Sequence, residues 1–364
     1  MNESNFWDKY GRFLLALAIV LGIASLAMNL LSHNLESQAE REQSQSGEFW
    51  LDREETHVIN VLAAGGIEPC SVPKPEGTFD ALSTLVNNYD LSAVSFHGLV
   101  GTNTSSAFAQ EAIDTGFNLI GLAFPGAHSF GKEGIDASMD FWKSAPARVS
   151  GTHSSTDEKN SLQINDVSGV SVVYISVTDG LNDELPENEK YLVHVYDEEK
   201  TPLFVNKAAE QADLVVVSIV WQGEQGALPS DRQKEIAQSL AGAGASVIIG
   251  YADNAVQPAA WIDDTLVFYS LGNLYSEEAG ATERIGALGA VTVTETVFGD
   301  KHRVELTNPR MDLVVSLPMA DGDSKVTLLS QASDDEVENR SELYQGYCET
   351  LQRMDDSIRI GGLR

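Results

Sequence analysis

The sequence predicts an α/β fold with its helices on the outside. Short apolar runs alternate along the chain with amphipathic segments of helical spacing. Several runs, such as Asp213–Val220 (DLVVVSIV) and Val170–Val177 (VSVVYISV), are apolar over nearly their whole length, which indicates strands buried on both faces. From Ala287 the pattern becomes β-rich (ALGAVTVTETVF, then HRVELTNP), which is typical of antiparallel strands that complete a second sheet.

The elements follow in a regular order. His57–Ala64 (HVINVLAA) is a short apolar strand that ends at Gly65-Gly66, a pair that indicates a tight loop. Thr78–Asn87 is predicted to be helical because its apolar residues fall on one face. Further helices are predicted at Ser106–Thr115, Gly134–Lys143, Pro202–Gln211, Ser230–Ala243 and Glu342–Ile360. Further strands are predicted at Leu91–Phe96, Asn118–Ala123, Tyr191–Tyr196, Ala245–Gly250 and Thr265–Leu271, and polar loops at Gly151–Val167 and Ser333–Glu338.

The chain of 364 residues is strongly acidic. It carries 54 Asp and Glu residues against 23 Lys and Arg, a formal net charge of −31. This balance excludes a nucleic-acid partner, because phosphate backbones are held by clustered basic residues, and it excludes a polybasic grip on anionic lipid. The hydrophobic fraction of 43% is ordinary for a folded protein.

The N-terminal region predicts a membrane anchor. Phe13–Leu31 contains no charge over nineteen residues, and a helix of that length covers about 28 Å, close to the hydrocarbon thickness of a bilayer. Lys9 and Arg12 precede it, so the positive-inside rule puts the N-terminus in the cytoplasm and the main domain outside. Two alternatives are a signal peptide cleaved near Ser25-Leu26-Ala27, which would give a secreted protein, and a buried soluble helix.

The predicted organisation therefore has five parts. They are a cytoplasmic N-terminus (1–12), a transmembrane helix (13–31), a stalk or linker (32–50), an extracytoplasmic domain (51–330), and an acidic loop with a C-terminal helix (331–364). Outside the cell a disulfide between Cys70 and Cys348 could form, and the alternative is two unpaired thiols.

The stretch Ala212–Asn273 carries a family resemblance. A strand, a tryptophan loop, a Gln-containing helix, an Ala-Gly-Ala turn, a VIIG strand, VQP and YSLGN follow one another there. Their order and spacing resemble the capsule-synthesis CapA proteins (PgsA of poly-γ-glutamate synthesis), of the calcineurin-like metallophosphoesterase superfamily. The resemblance covers roughly Val58–Val315 and includes the phrase FGKEGIDASMDFWKSA. It implies an α/β/β/α sandwich of two packed mixed sheets, here preceded by one transmembrane helix.

The resemblance also implies a two-metal centre, but other residues stand at the ligand positions. Gly65-Gly66 replaces a Gly-Asp pair, Ser95-Phe96-His97 replaces Asn-Leu-Glu, and Phe124-Pro125-Gly126 replaces Asn-Asn-His. Ser129 replaces the aspartate that follows this third loop. Val220-Trp221-Gln222 stands where the family has His-Trp-Gly, and Gly250–Asn254 stands where it has Gly-x-His-Pro-His. Because a two-metal centre needs several carboxylate and imidazole ligands, we expect no bound family metal, no other cofactor and no metal-dependent catalysis.

The same loops supply the candidate cleft residues. They are Gly66, Phe96, His97, Phe124, His128, Trp221, Glu224, Tyr251, Asp253, Asn254 and Asn273. The four aromatic residues among them either fill the vacated cavity or line a recognition groove. His97, His128 and Asp253 could form a relocated single-metal site, and the alternative is that they are ordinary loop residues.

These observations predict a non-catalytic, membrane-anchored accessory in capsule or poly-γ-glutamate synthesis or export, working beside membrane-embedded synthase subunits. One alternative is a hydrolase with an atypical site, acting on phosphoesters or polymer amides, and another is a surface binding module unrelated to capsule. The acidity should repel a polyanion unless cations bridge the two, so we expect recognition at the aromatic-lined mouth.

Overall fold

The computed structural model describes residues 54–68, 77–223, 226–252, 255–277, 283–299, 301–318 and 324–363, with the isolated positions 21, 25, 28 and 31. The chain divides into two compact units, residues 1–55 with 297–301 and residues 56–296 with 302–364. In the first unit the described positions Leu21, Ser25, Met28 and Leu31 are helical and exposed. The second unit holds the candidate site and nearly all of both sheets.

The described residues form fifteen strands and seven α-helices. The strands are β1 (Glu55–Ile67), β2 (Leu91–Phe96), β3 (Leu119–Gly121), β4 (Arg148–Ser150), β5 (Ile164–Val167), β6 (Val170–Thr178), β7 (Leu214–Val220), β8 (Val247–Tyr251), β9 (Val256–Ile262), β10 (Thr265–Leu271), β11 (Asn273–Tyr275), β12 (Ile285–Phe298), β13 (Lys301–Pro318), β14 (Ser324–Leu328) and β15 (Arg359–Ile360). The helices are α1 (Asp80–Val86), α2 (Ser106–Thr115), α3 (Gly131–Trp142), α4 (Thr156–Lys159), α5 (Lys200–Ala209), α6 (Asp231–Gly242) and α7 (Arg340–Leu351), with a 3₁₀ turn at Glu187–Glu189.

The strands build two mixed sheets, which confirms the predicted α/β class. A nine-stranded sheet has the order β14-β13-β12-β1-β2-β3-β4, with β11 added beside β1 and β15 beside β13. A six-stranded sheet has the order β5-β6-β7-β8-β10-β9. Strands β1 to β4 are mutually parallel, as are β6, β7, β8 and β10, so within each sheet these strands end at one edge.

Strand β7 shows how the core is divided. Its side chains alternate, so that Leu214 and Val216 join the main core while Val215 and Val217 join a second core. The main core includes apolar residues of both sheets and of α1, α2 and α3, and the second includes those of α5 and α6. The apolar run at Asp213–Val220 is therefore a strand buried on both faces, as predicted.

The predicted loop Gly151–Val167 is wrong in part, because it contains α4 and β5. Strand β5 pairs antiparallel with β6 across a two-residue turn. Ser168 (φ 53°) and Gly169 (φ 95°) both take positive φ there, as tight hairpin turns require. The Ser-Gly pair between Val167 and Val170 is the local signal that predicts this hairpin.

Two other predicted elements need correction, and one strand was not predicted. The C-terminal helix ends at Leu351 instead of Ile360, and β15 follows it and pairs in parallel with β13. Tyr191–Tyr196 forms isolated bridges rather than a strand, through Val193 and Val195. Strand β9, which contains the VQP sequence and pairs antiparallel with β10, is missing from the predicted elements.

The predicted transmembrane helix 13–31 lies outside the described residues, apart from the four isolated positions. Among the residues that the structure does describe, no helix has the length and apolar character needed to cross a bilayer. The anchor and its alternatives stay predictions.

Two buried histidines make the stability of the fold sensitive to acid. The rings of His153 and His194 lie 6.1 Å apart, and both side chains are buried. Burial lowers the pKa of each to about 3, and the Lys159 ammonium adds to this at both, as does His153 at His194. Between pH 3 and 6.5 the unfolded chain therefore binds more protons than the folded one, so the free energy of unfolding falls as the pH falls through this window.

We predict that His194→Phe makes this loss shallower by up to about 1.4 kcal/mol per pH unit, because one buried neutral imidazole is removed. Urea unfolding of wild type and variant at about pH 4, 5, 6 and 7, within and just above this window, measures the difference. Phe204→Leu is the control, because it changes the ring packed against His194 without removing a titrating group. Equal slopes in His194→Phe and wild type would contradict the prediction.

Candidate functional site

The candidate site lies at the carboxyl ends of the parallel strands, where β1 and β2 end beside β11. Gly66 donates its N–H to the Gly272 carbonyl oxygen at 2.8 Å and is paired with Asn273 in the β1–β11 register. His97 follows β2 directly, and its N–H donates to the Ile67 carbonyl oxygen at 2.9 Å. This strand pairing brings Gly66, His97 and Asn273 together.

The imidazole of His97 lies against the backbone of Gly66. A Cβ atom added to Gly66 would lie 2.6 Å from Cε1 and 2.9 Å from Nε2 of His97. Real Cβ atoms do not approach other heavy atoms so closely, so any larger residue at this position would require the His97 ring to shift. The imidazole is 7% exposed, and its Nδ1 lies 3.4 Å from Oε1 of Glu68. The ring therefore blocks the space that a side chain at position 66 would need.

Two further rings surround His97. The Phe124 ring is nearly parallel to the imidazole, with centroids 6.2 Å apart and planes 23° apart. The Tyr251 ring meets it edge-on at 6.2 Å and 89°. Both aromatic side chains are buried, so little ring surface is left for a ligand. This packing agrees with the filled-cavity alternative for Phe124 and Tyr251.

The Tyr251 hydroxyl is buried and finds no hydrogen-bond partner among the described residues. Burial raises the pKa of this phenol well above 10, and the neighbouring Tyr174 adds to the shift. A phenol of this kind stays protonated at neutral pH and supplies no anionic metal ligand.

Phe96 and Trp221 do not join this group, although the sequence places them in the same loops. Phe96 packs edge-on against Trp142 of α3, with centroids 5.1 Å apart. The Trp221 indole belongs to the second core and donates from Nε1 to the Tyr269 carbonyl oxygen at 2.7 Å. Adjacent residues on a strand point to opposite faces, so closeness in sequence to the mouth does not bring these rings into it.

The other predicted residues are only partly described. His128 is largely buried and lies with Nε2 3.1 Å from Oε2 of Glu189. Glu224, Asp253, Asn254 and Cys70 lie outside the described residues, so the relocated metal site and the disulfide stay predictions. Among the described residues, neither His97 nor His128 belongs to a group of three or more closely spaced metal-ligand atoms.

A basic groove was not predicted from the sequence. It has a volume of about 890 Å³, and four of its lining residues are lysines from three segments of the chain, Lys159, Lys190, and Lys200 with Lys207 on α5. Three acidic residues, Asp183, Glu184 and Asp197, also line it, so the charged side chains of the groove leave a small positive excess in a chain of net charge −31. The concentration of lysine between positions 190 and 207 is the signal that sequence reasoning could have used.

Lys159 is half-buried, whereas the other three lysines of the groove are exposed. Its Nζ donates to the carbonyl oxygens of Lys190 at 2.6 Å and Val193 at 2.9 Å. Burial, followed by the charge of Lys200, lowers the pKa of this amine to about 8. This amine therefore loses part of its positive charge at mildly alkaline pH.

The fold and site define a two-sheet α/β protein whose strand-end mouth is packed with rings. The chain belongs to the bacterial capsule synthesis protein PGA_cap family, whose model matches residues 78–278. This confirms the resemblance to capsule-synthesis proteins predicted from Ala212–Asn273.

Two curated relatives agree with this membership. The PGA biosynthesis protein CapA of Bacillus subtilis (strain 168) is 28% identical over 215 residues, which are 58% of this chain and 55% of that protein. The capsule biosynthesis protein CapA of Bacillus anthracis is 26% identical over 185 residues, 48% of this chain and 44% of that protein. The chain thus spans about half the length of the curated relatives it matches.

Solved structures with some likeness are more distant. A hypothetical protein from Thermus thermophilus matches with a TM-score of 0.42 and 15% identity, over 68% of this chain and 99% of that one. A phosphatase from Mycoplasma pneumoniae matches with a TM-score of 0.43 and 10% identity, over 70% of this chain and 94% of that one. Likenesses at this level carry no argument about activity.

We predict that Gly66→Ala lowers the free energy of unfolding by about 1–3 kcal/mol, because the new methyl overlaps the His97 ring. Urea unfolding measures the loss. Part of it should be recovered in the Gly66→Ala/His97→Ala double variant.

Gly242→Ala is the matched control, because its added methyl meets no atom within 4 Å at the end of α6. It should be neutral or slightly stabilising, since alanine favours helix. A Gly66→Ala protein as stable as the control would mean that the close contact does not exist in solution.

Proposed function

We propose that this chain is a non-catalytic member of its family that assists the synthesis or export of a capsule polymer such as poly-γ-glutamate. The observation that supports the proposal most directly is the His97 ring lying against Gly66. The resemblance implies a metal-binding aspartate at this position, whereas here the residue has no carboxylate and the His97 ring occupies the space that one would need.

The donor set argues against a two-metal centre of the metallophosphoesterase type. Gly66 and Phe124 offer no donor atom, and the buried Tyr251 phenol stays protonated. Glu68, His97 and Asn273 are the polar side chains that β1, β2 and β11 bring to the mouth. Among the described residues, which leave out Glu224, Asp253 and Asn254, these do not amount to the several converging anionic and imidazole ligands that two divalent ions need. We propose that the two-sheet scaffold is metallophosphoesterase-like and that its metal chemistry has been lost.

We further propose that a helix over 13–31 anchors the chain in the membrane with the domain outside. Its uncharged run of nineteen residues and the preceding Lys9 and Arg12 support this orientation. We propose membrane-embedded subunits of a polymer synthase as its partners. An anchored domain without catalytic activity would act by binding other proteins in the same membrane.

The basic groove supports a binding role for acidic chains. At physiological salt the Debye length is about 8 Å, so a short acidic ligand in the groove responds mainly to the charges that line it. Lys200 and Lys207 lie on one helix, α5, and the groove also offers the apolar side chains of Leu203 and Phe204. A segment of carboxylate-bearing polymer could meet its local charge without contacting the acidic remainder of the surface.

We predict that Tyr251→Phe and His97→Gln each restore polymer yield in cells from which the gene for this chain has been deleted. The reason is that the mouth serves packing rather than chemistry. Cell-associated polymer is measured against wild-type rescue and the unrescued deletion strain.

The purified wild-type chain should show no Mn²⁺-dependent hydrolysis of bis(p-nitrophenyl) phosphate. Hydrolysis that Tyr251→Phe or His97→Gln abolishes, with the fold intact by circular dichroism, would establish the hydrolase instead.

We predict that Lys200→Glu/Lys207→Glu weakens binding of a short fluorescent oligomer of γ-linked glutamate several-fold. The variant replaces two positive charges of the groove with negative ones. Fluorescence anisotropy at two salt concentrations measures the affinity. Lys132→Glu/Lys234→Glu makes the same change of net charge on α3 and α6, outside the groove, and should leave binding nearly unchanged. Equal weakening by the two variants would point to overall charge and reject the groove.

A further inference from the structure

A second cluster of ligand-bearing side chains lies at the opposite end of β7 from Trp221. Asp213 directly precedes β7 of the six-stranded sheet, whereas Glu295 lies on β12 and His302 on β13 of the nine-stranded sheet. One ligand atom from each of the three residues lies within 4.8 Å of the others, and no other such group occurs among the described residues. None of the three belongs to the mouth or to the basic groove.

The contacts within the cluster are short. Nδ1 of His302 lies 2.6 Å from Oε1 of Glu295 and 3.3 Å from Oδ1 of Asp213. The other carboxylate oxygen of Asp213 accepts the N–H of Ser171 at 2.9 Å and also contacts the Ser171 hydroxyl. Ser171 therefore holds the Asp213 carboxylate in place, as outer hydrogen bonds commonly do for metal ligands.

Glu295 supplies an independent observation that points to a ligand. Its side chain is 1% exposed, and its Oε2 is buried with no hydrogen-bond partner among the described residues. A buried carboxylate oxygen without a donor is costly, because it loses its hydration without replacement. His302 is paired with Oε1 and the Asp213 carboxylate also interacts with the Glu295 side chain, so two acidic groups and one imidazole meet here while Oε2 has no hydrogen-bond partner among the described residues.

A divalent cation would satisfy the arrangement. It would be held by both carboxylates and by Nδ1 in place of a proton, and it could draw in the unsatisfied oxygen of Glu295. One imidazole with two carboxylates suits Zn²⁺, Mn²⁺ or Co²⁺, whereas Mg²⁺ and Ca²⁺ prefer oxygen ligands alone. The His302 side chain is 51% exposed, so an ion can enter from solvent and water can complete its coordination.

We propose that Asp213, Glu295 and His302 bind one divalent transition-metal ion that links the two sheets. The link would join the start of β7 to β12 and β13. This site is separate from the strand-end mouth. The bound ion would have a structural role rather than a catalytic one.

The proposal is tested by titrating Co²⁺ and Zn²⁺ into the full chain, purified in detergent and stripped with a chelator. We expect one ion per chain by calorimetry, a visible Co²⁺ absorption band, and a higher melting temperature with Zn²⁺ because the ion binds the folded state. His302→Ala should weaken binding by more than the about 10–100-fold typical of losing an outer-shell partner. Glu295→Gln should do the same, and the exposed His302 keeps the test decisive if the buried variant fails to fold.

His128→Ala distinguishes this site from the relocated site predicted at His97, His128 and Asp253, because it removes a ligand of that site and none of this one. It should leave the stoichiometry and the cobalt spectrum unchanged. The proposal is overturned if wild type shows no saturable binding, in which case an imidazolium joins the two carboxylates. It is equally overturned if His302→Ala binds as wild type does, or if His128→Ala abolishes binding and the ion lies near the mouth.

Discussion

The ring of His97 rests on the backbone of Gly66, and the character of the strand-end region follows from that contact. Parallel strands bring β1 and β2 to a common edge, so whatever follows them must share a small volume. With no side chain on Gly66, the imidazole can occupy that volume, and Phe124 and Tyr251 then pack around it. These rings occupy the space among the described residues at this edge, and that packing is the observation behind the proposed loss of a metal centre.

Charge is unevenly distributed in this protein, and a bound ligand responds to the local charges rather than to the net charge. A chain of net charge −31 still gathers four lysines around one groove, with a neutralising acid close to some of them. It also brings two carboxylates and an imidazole together where two sheets meet. Average charge describes long-range repulsion, whereas a ligand within a Debye length of a surface meets only the local arrangement.

Much of the fold could be predicted because its signals are local. The run DLVVVSIV reads as a doubly buried strand since both sets of alternate side chains are apolar, and β7 places them in two different cores. Elements without such a signal were missed. Strand β15 has two residues and exists only because β13 lies beside it. The β5–β6 hairpin differs, because its Ser168-Gly169 turn is a local signal that stands within a polar stretch.

The candidate site divides in the same way. Sequence alone determined that Gly66 carries no ligand, that Phe124 and Tyr251 stand where metal ligands were expected, and that the chain is acidic, because residue identity settles which atoms exist. Tertiary structure decided that Phe96 and Trp221 turn away from the mouth, since strand alternation and the neighbouring helices set side-chain direction. It also decided that Asp213, Glu295 and His302 meet. Residues far apart in the chain become neighbours only through sheet pairing and packing, and no local pattern encodes that distance.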